Sequence, residues 1–241
     1  MSSLDLDAKN LALVCCFASV QAVLSGVSLF PVMGAIGRFI TMATVMAPLI
    51  GLILGPFYGT AAVSMGGFIG WIITQTGPFG FLSFVPSANG ALFSGLLYNR
   101  KRIVSIVLYL ALFLALAFYP TIGPAWLYPH YLWFQLAGLI VLASPLRSRA
   151  EDFTHKHSSM LELSFGVGII SLTATLFGQI VGSVMFEAMY WPTMPPQAEF
   201  WKVFVWQPTT FVYPIERTLI TLLATVIGAP LIRALRAYGF E

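Results

Sequence analysis

The sequence predicts an all-α, polytopic membrane helical bundle, and its composition and apolar patterning carry that prediction. Hydrophobic residues make up 58% of the 241 residues and charged residues only 9%, and the mean hydropathy is +0.86. A water-soluble core of this size cannot bury so much apolar surface. Long apolar stretches recur along the chain, separated by short polar or basic segments. We therefore expect a single integral membrane domain over residues 1–241, multi-pass in the cell membrane.

Apolar runs that approach the ~20 residues needed to cross a bilayer predict about eight transmembrane spans. They cover residues 11–31, 36–54, 57–76, 80–98, 103–120, 126–146, 159–190 and 209–233. Basic residues cluster at 100–102, 147–156 and 233–236, and the positive-inside rule assigns these segments to the cytoplasmic side. With eight spans, both termini are then expected in the cytoplasm.

The second and third spans meet at Gly55-Pro56 with almost no loop between them, which predicts a helical hairpin whose turn faces the cytoplasm. Glycine recurs along both arms and leaves backbone surface on which other helices can pack closely. These glycines are Gly51, Gly55, Gly59, Gly66, Gly67 and Gly70. In the first span, the adjacent Cys15 and Cys16 have neither disulfide geometry nor metal-ligand spacing, so we interpret them as packing or lipid-facing residues.

The later spans are less regular. Pro86 and Asn89 predict that the fourth span starts as a broken or re-entrant helix. The sixth opens with WLYPHYLWF, which is typical of the membrane–water boundary. The seventh is overlong and should tilt or bend, and Ser159 with Glu162 predicts a capping box at its start. Four prolines and three tryptophans between residues 191 and 208 predict an interfacial lid or ledge.

Motifs for catalysis are nearly absent from the sequence. The three histidines have no cysteine or glutamate at metal-ligand spacing, and neither a zinc-protease motif nor paired aspartate-rich motifs occur. The segment LFSG at 92–95 superficially resembles the serine turn of an intramembrane protease, but no later span carries a histidine to activate Ser94. We therefore expect no enzyme, no metal and no cofactor. The net charge of +3 is too small to predict nucleic-acid binding.

Polar side chains in or beside the apolar spans cost free energy unless they face protein or water. In the eight-span topology they collect in the outer half of the membrane, where they predict a pocket for a small polar ligand. The predicted substrate-binding residues are Arg38, Asn89, Trp126, His130, Gln135, Glu187, Glu216 and Arg217. The alternative is that the charged residues neutralise one another between helices and the aromatic residues anchor the protein at the interface.

The hairpin LIGLILGPFYGTAAVSMGGFIG resembles the second and third helices of the substrate-binding S components of energy-coupling factor (ECF) transporters, which take up vitamins and metals. Ala18-Ser-Val-Gln-Ala22 is similar to the AxxxA motif through which such subunits contact a membrane coupling subunit. ALFSGLLYNRKR and YPIERTLITLLATVIGAPLIRAL resemble their helix with a basic cytoplasmic end and their final helix. Those subunits usually have six helices, so eight spans imply an added pair between Ile103 and Tyr190.

The resemblance implies a subunit that captures a small nutrient, vitamin-like or otherwise polar, from outside. Ala18 and Ala22 would contact the coupling subunit, and separate ATPase subunits would supply energy, since the segments between spans are too short for a nucleotide-binding domain. Two alternatives remain open. The chain is a structural or assembly subunit of a larger membrane complex, or it is a stand-alone secondary carrier in which Glu187 or Glu216 carries a proton.

Overall fold

The computed structural model describes residues 3–32, 37–75, 77–155, 158–191 and 197–237, with only the backbone given for residues 3–7 and 9. The fold is built almost entirely from helices, as predicted. The α-helices are α1 (Ser3–Leu24), α2 (Ala43–Thr74), α3 (Val85–Tyr98), α4 (Arg102–Ala117), α5 (Pro124–Leu127), α6 (Trp133–Ala143), α7 (Pro145–His155), α8 (Met160–Tyr190), α9 (Ala198–Phe200) and α10 (Gln207–Ala237). Short 3-10 helices span Gly80–Leu82 and Pro129–Leu132, and a π-helical turn at Trp201–Trp206 leads into α10.

Four helical segments of the described chain are long and apolar enough to cross a membrane. They are Ala43–Thr74, Gly80–Tyr98, Met160–Tyr190 and Ala198–Ala237, and three shorter apolar helices accompany them, Asn10–Leu24, Arg102–Ala117 and Pro129–Ala143. These lengths and compositions fit a membrane protein.

A small β-hairpin lies where the sequence predicted the end of the first span and the start of the second. Strand β1 (Ser28–Pro31) pairs antiparallel with β2 (Phe39–Thr41). The predicted spans 11–31 and 36–54 were therefore too long, because α1 ends at Leu24 and α2 begins at Ala43. Pro31 cannot continue a helix, and β-branched and aromatic residues favour the extended backbone here. Apolar character alone did not distinguish strand from helix.

The predicted hairpin at Gly55-Pro56 is present inside α2. Gly55 has φ 76° and ψ −179°, a non-helical conformation that glycine adopts easily. Residues eight apart in a straight helix are separated by about 12 Å, yet a Cβ built on Gly59 would lie 2.8 Å from the Cα of Gly51. The chain therefore reverses, and residues 43–54 and 56–74 form two antiparallel arms.

Glycines bring α1 and α3 into backbone contact with this hairpin. A Cβ added to Gly51 would overlap the carbonyl oxygen of Ala91 on α3, and one added to Gly66 would overlap that of Ala18 on α1. Gly95 near the end of α3 lies equally close to the turn at Gly55-Pro56. The predicted role of glycine as a close-packing surface is thus met within the chain itself.

Helix α8 runs through the centre of the bundle. It packs against α3, α4, α6, α7 and α10, and Phe177 stacks on Phe93 of α3 with ring centroids 4.2 Å apart. The predicted capping box is confirmed, since the Glu162 N–H donates to Ser159 Oγ at 3.3 Å and the Ser159 N–H donates to Glu162 Oε2 at 2.8 Å. Its 31 residues match the overlong span expected from the sequence.

The basic segment after residue 146, between two predicted spans, forms helix α7, which lies against α8. Arg147 and Glu151 are one turn apart on its buried face and form an ion pair. Burial raises the pKa of the Glu151 carboxyl, and the neighbouring Arg147 guanidinium offsets part of that rise. A helix with one buried face was missed because its charged residues suggested full exposure.

The three basic segments meet at one end of the bundle, which we call the basic end. Arg100 Nη2 lies 2.8 Å from Asp152 Oδ1, and His155 Nε2 donates to the carbonyl oxygen of Tyr98 at 2.7 Å. Arg236 donates to the carbonyl oxygen of Thr154. The end of α3, helix α7 and the end of α10 are therefore neighbours. The sequence predicted that these segments share one side of the membrane, and their position at one end of the bundle is compatible with that prediction.

We expect Gly51→Ala to destabilise the protein by about 1–3 kcal/mol, because the added methyl group must displace the backbone of α3. The measurement is the thermal unfolding midpoint in detergent micelles. The matched control is Gly182→Ala on α8, where an added Cβ meets only Pro86 side-chain atoms at 3.5 and 3.6 Å. Equal losses in the two variants would contradict the role given to Gly51.

Candidate functional site

A cavity lies at the end of the bundle opposite the basic end. Its wall includes the start of the first arm of α2, the last turns of the second arm and the start of α3, whereas the hairpin turn and the last turn of α3 lie together at the basic end. The cavity has a volume of about 150 Å³. This is room for on the order of ten water molecules.

The α8 part of the wall follows helical periodicity. The small residues Ala174, Gly178 and Gly182 recur every four positions, and the polar residues Thr175, Gln179 and Ser183 recur beside them. Side chains four residues apart share one helix face. The same spacing aligns Thr209, Tyr213 and Arg217 on α10, and it separates Gln21 on α1 from Ser25 just beyond that helix.

Several polar atoms in the wall are buried without a hydrogen-bond partner in the described part of the chain. Gln21 and Gln179 are only 1% and 5% exposed. Their Oε1 atoms and the Oγ1 of Thr175 have no hydrogen-bond partner among the described residues. Leaving such a group unpaired costs about 1–3 kcal/mol, and buried polar atoms in folded proteins are nearly always paired. Because Gln21, Thr175 and Gln179 line the cavity, a molecule bound there is a candidate hydrogen-bond partner for these residues.

Tyr131 orients part of this polar surface. Its hydroxyl lies 3.0 Å from Ser183 Oγ and accepts a hydrogen bond from Gln179 Nε2 at 3.4 Å. Because Tyr131 engages the nitrogen of the Gln179 amide, the amide oxygen is the atom that remains for a further donor. Tyr131 thus acts through its neighbours and does not itself line the cavity.

A continuous row of aromatic rings backs the cavity. Phe186 meets Trp201 edge-on at 5.9 Å, Trp201 lies 6.1 Å from Trp206, and Trp206 lies 4.8 Å from Tyr131. The indole N–H of Trp206 donates to the carbonyl oxygen of Ile122 at 2.9 Å. Phe186 and Trp206 face the cavity directly. Such rings offer broad apolar surfaces for a ligand.

These rings correct the prediction of an interfacial lid between residues 191 and 208. Residues 192–196 lie outside the described part of the chain, while the following residues are helical. Trp201 and Trp206 are buried in the interior. The prolines and tryptophans suggested an interface, but in the described residues the tryptophans pack against α8 and the turn at 129–132.

Arg217 provides the only charge in the cavity wall as far as the chain is described. Its side chain is buried, with its guanidinium carbon 5.5 Å from the centre of the Tyr213 ring. Arg217 Nη2 lies 3.9 Å from Glu216 Oε2, which is too long for a hydrogen bond. Its Nε also has no hydrogen-bond partner within the described chain.

Of the predicted substrate-binding residues, Arg217 lines the cavity and the two glutamates lie near it. Glu216 is buried beside Arg217 but is not part of the wall. Glu187 on α8 has no exposed surface, and neither carboxylate oxygen has a hydrogen-bond partner in the described part of the protein. Glu187 follows Phe186, which lines the cavity, but is not itself part of the wall.

The other predicted residues lie outside the cavity wall. Gln135 is buried on α6, and its backbone carbonyl oxygen accepts a hydrogen bond from the Tyr109 hydroxyl at 2.9 Å. Asn89 donates to Val85 O within its own helix at 3.0 Å, and Arg38 donates to Gln75 O at 3.0 Å. Trp126 is 63% exposed, and His130 is exposed beside Tyr128. The structure therefore does not bring these side chains together.

Polar residues that the sequence argument did not select replace them in the wall. They are Gln21, Ser25, Thr41, Thr44, Thr74, Ser83, Ser87, Thr175, Gln179, Ser183 and Thr209. A usable signal was present in the four-residue spacing of polar and small side chains along α8. Polarity within an apolar span does not identify the helix face that lines a cavity, so the predicted set includes the buried Gln135 and Glu187 as well as the exposed Trp126.

Comparisons with protein-family models, with curated proteins and with solved structures found no match. Among the described residues, no group of three or more histidine, cysteine, aspartate or glutamate side chains is placed to hold a metal ion. The fold and site together define a helical protein suited to a membrane, with a polar and aromatic cavity at one end.

We expect Tyr131→Phe to lower the free energy of unfolding by about 1–3 kcal/mol, because it leaves Ser183 and Gln179 without the buried hydroxyl between them. The measurement is the thermal unfolding midpoint in detergent. Tyr58→Phe is the control, since Tyr58 is largely exposed. An unchanged midpoint for Tyr131→Phe would show that water replaces the hydroxyl at no cost.

Proposed function

We propose that this chain is the substrate-binding subunit of a membrane transporter for a small polar nutrient, energised by separate ATPase subunits. The observation that carries the proposal is the cavity, whose wall holds buried polar atoms that lack partners among the described residues. A structural subunit has no need of such a wall, because each unpaired buried group lowers stability. Pockets with apolar walls and a few fixed polar groups are typical of small-molecule sites.

The position of the cavity supports capture from outside the cell. The cavity and the basic end lie at opposite ends of the bundle. The positive-inside rule assigns basic segments to the cytoplasm. A cavity at the other end is then accessible from the external side, as uptake of a scarce molecule requires.

The arrangement of helices supports a multi-pass topology of about eight spans. Counted with the two arms of α2 as separate segments, the helices follow the order of the predicted spans: α1, the two arms, α3, α4, α6, α8 and α10. Ser25, just beyond α1, and Trp206, just before α10, are at the cavity. The opposite ends of both helices therefore run towards the basic end, in keeping with two cytoplasmic termini.

Ala18 and Ala22 have a packing role that the coupling proposal must accommodate. Ala18 is buried, and its carbonyl oxygen lies against Gly66 of the second arm. The carbonyl oxygen of Ala22 would lie 3.1 Å from a Cβ on Gly70. In this proposal Ala18 and Ala22 act on the coupling subunit indirectly, because they set the position of α1 against α2.

A secondary carrier is the second candidate, and Glu187 is the observation that favours it. A fully buried carboxyl group without a hydrogen-bond partner among the described residues is costly in a membrane protein, and such groups often carry protons or ions. Uptake by the purified chain alone in proteoliposomes, driven by a proton gradient and lost in Glu187→Gln, would favour this candidate. Uptake that requires ATPase partners would favour the substrate-binding subunit.

We expect the protein purified from its native membrane to carry a bound small molecule, and Gly182→Leu to lose it. The leucine side chain would enter the cavity, because an added Cβ at Gly182 makes only ordinary contacts with Pro86. Mass spectrometry of the released small molecules is the measurement. Gly182→Ala, which leaves most of the cavity open, should retain the molecule.

The protein chains that copurify with this one provide a test that can contradict the transporter proposal. A stable set of subunits without an ATPase, together with no released small molecule from the wild-type protein, would exclude the transporter proposal and favour an assembly subunit.

We also expect the cavity rim and the basic end to be on opposite sides of the membrane. Phe39→Cys, at an exposed position of the cavity wall, should react with a membrane-impermeant maleimide in intact cells. Lys101→Cys should react only after the membrane is opened. Both variants are made with Cys15 and Cys16 replaced by alanine, because both native thiols are exposed. Labelling of both sites from the same side would contradict the topology.

A further inference from the structure

The cavity wall combines one buried cation with otherwise uncharged residues. Arg217 is 7% exposed, and all other residues of the described wall are neutral. A buried cation is costly unless an anion and hydrogen-bond acceptors compensate it. Glu216 at 3.9 Å offsets part of the charge but lies beyond hydrogen-bond range, and Arg217 Nε has no acceptor within the described residues. The guanidinium is therefore suited to bind an anionic group from the cavity.

Two amide oxygens in the wall require hydrogen-bond donors from the ligand. Gln21 on α1 and Gln179 on α8 each leave Oε1 buried and unpaired in the described structure. Both residues are part of the cavity wall. An amide oxygen accepts hydrogen bonds and cannot donate them. A ligand that satisfies these atoms must carry N–H or O–H groups in addition to its negative charge.

The aromatic part of the wall favours a ligand that has a flat apolar group. The aromatic side chains come from α2 (Trp71), from the segment between α2 and α3 (Phe79 and Phe84), from α8 (Phe186) and from the turn before α10 (Trp206). Aromatic side chains on several sides of a cavity provide faces and edges against which a planar ring packs favourably. The limited free volume of about 150 Å³ favours a ligand with a single small ring.

We infer that the ligand is a small monocarboxylic acid that carries a planar ring and N–H or O–H donors, an inference that rests on the proposed function of the cavity. The carboxylate binds Arg217, the ring packs among the aromatic side chains, and the donors reach Gln21 or Gln179. A phosphate monoester is a poorer match, because it carries a charge near −2. Arg217, the one charged residue of the described wall, matches a single carboxylate and does not balance a charge near −2.

The experiment uses the full chain in detergent micelles and equilibrium dialysis with radiolabelled 4-aminobenzoate. This probe has one carboxylate, one ring and one amino group that donates hydrogen bonds. Its uncharged amide, 4-aminobenzamide, has nearly the same shape and serves as a competitor, as does inorganic phosphate. We expect saturable binding of 4-aminobenzoate, competition by the amide that is at least tenfold weaker, and no competition by phosphate at the same concentrations.

Variants identify the residue responsible for the preference. Arg217→Gln should weaken binding of 4-aminobenzoate at least tenfold and leave the affinity for 4-aminobenzamide nearly unchanged. Arg217→Lys, which retains the charge, should restore part of the preference for the acid and guards against loss of folding in the glutamine variant. Arg149→Gln is the matched control, because Arg149 is exposed on α7 at the basic end.

The outcomes separate this inference from the function on which it rests. Equal affinity for the acid and the amide, or an unchanged ratio in Arg217→Gln, would overturn the inference while leaving a ligand-binding cavity. Competition by phosphate as strong as by the acid would also overturn it. Lack of saturable binding by both organic probes would reject the proposed ligand class, and the released molecules identified by mass spectrometry would then decide the proposed function independently.

Discussion

Direct backbone contact between the α2 hairpin and its neighbours is the constraint on which the rest of the structure depends. Gly51 and Gly66 have no side chain to keep α3 and α1 away. Backbone carbonyl oxygens of the two neighbouring helices therefore lie directly against these glycines. In a lipid environment, where apolar side chains gain little by leaving the solvent, such close packing is a main source of helix association. Helices α1 and α3 thereby pack directly on the α2 hairpin.

The cavity is a consequence of where that close packing ends. Near the turn, Gly51, Gly59 and Gly95 bring backbones together, whereas the opposite end of the hairpin faces the polar side of α8 and the aromatic rings around Trp206. Small residues on α8, such as Gly182, leave space there that larger side chains would fill. The same residue class thus closes the bundle at one end and leaves room for a ligand at the other.

Much of the architecture was predictable from local signals. The Gly55-Pro56 reversal and the capping box at Ser159 follow from residue chemistry over short distances. The β-hairpin and α7 were not predicted, because apolar content does not distinguish a strand from a helix end, and charges do not exclude a buried helix face. For the site, Arg217 was the predicted residue that reached the wall.

The sequence by itself determined the class of molecule, since 58% hydrophobic residues and repeated long apolar runs leave few alternatives to a membrane bundle. Only the tertiary structure decided which polar side chains meet. Glu187 and Ser183 are one turn apart on α8, yet only Ser183 lines the cavity. Both residues are on the same face of α8, so the difference depends on which distant residues pack against each turn of that face, and no local pattern records those contacts.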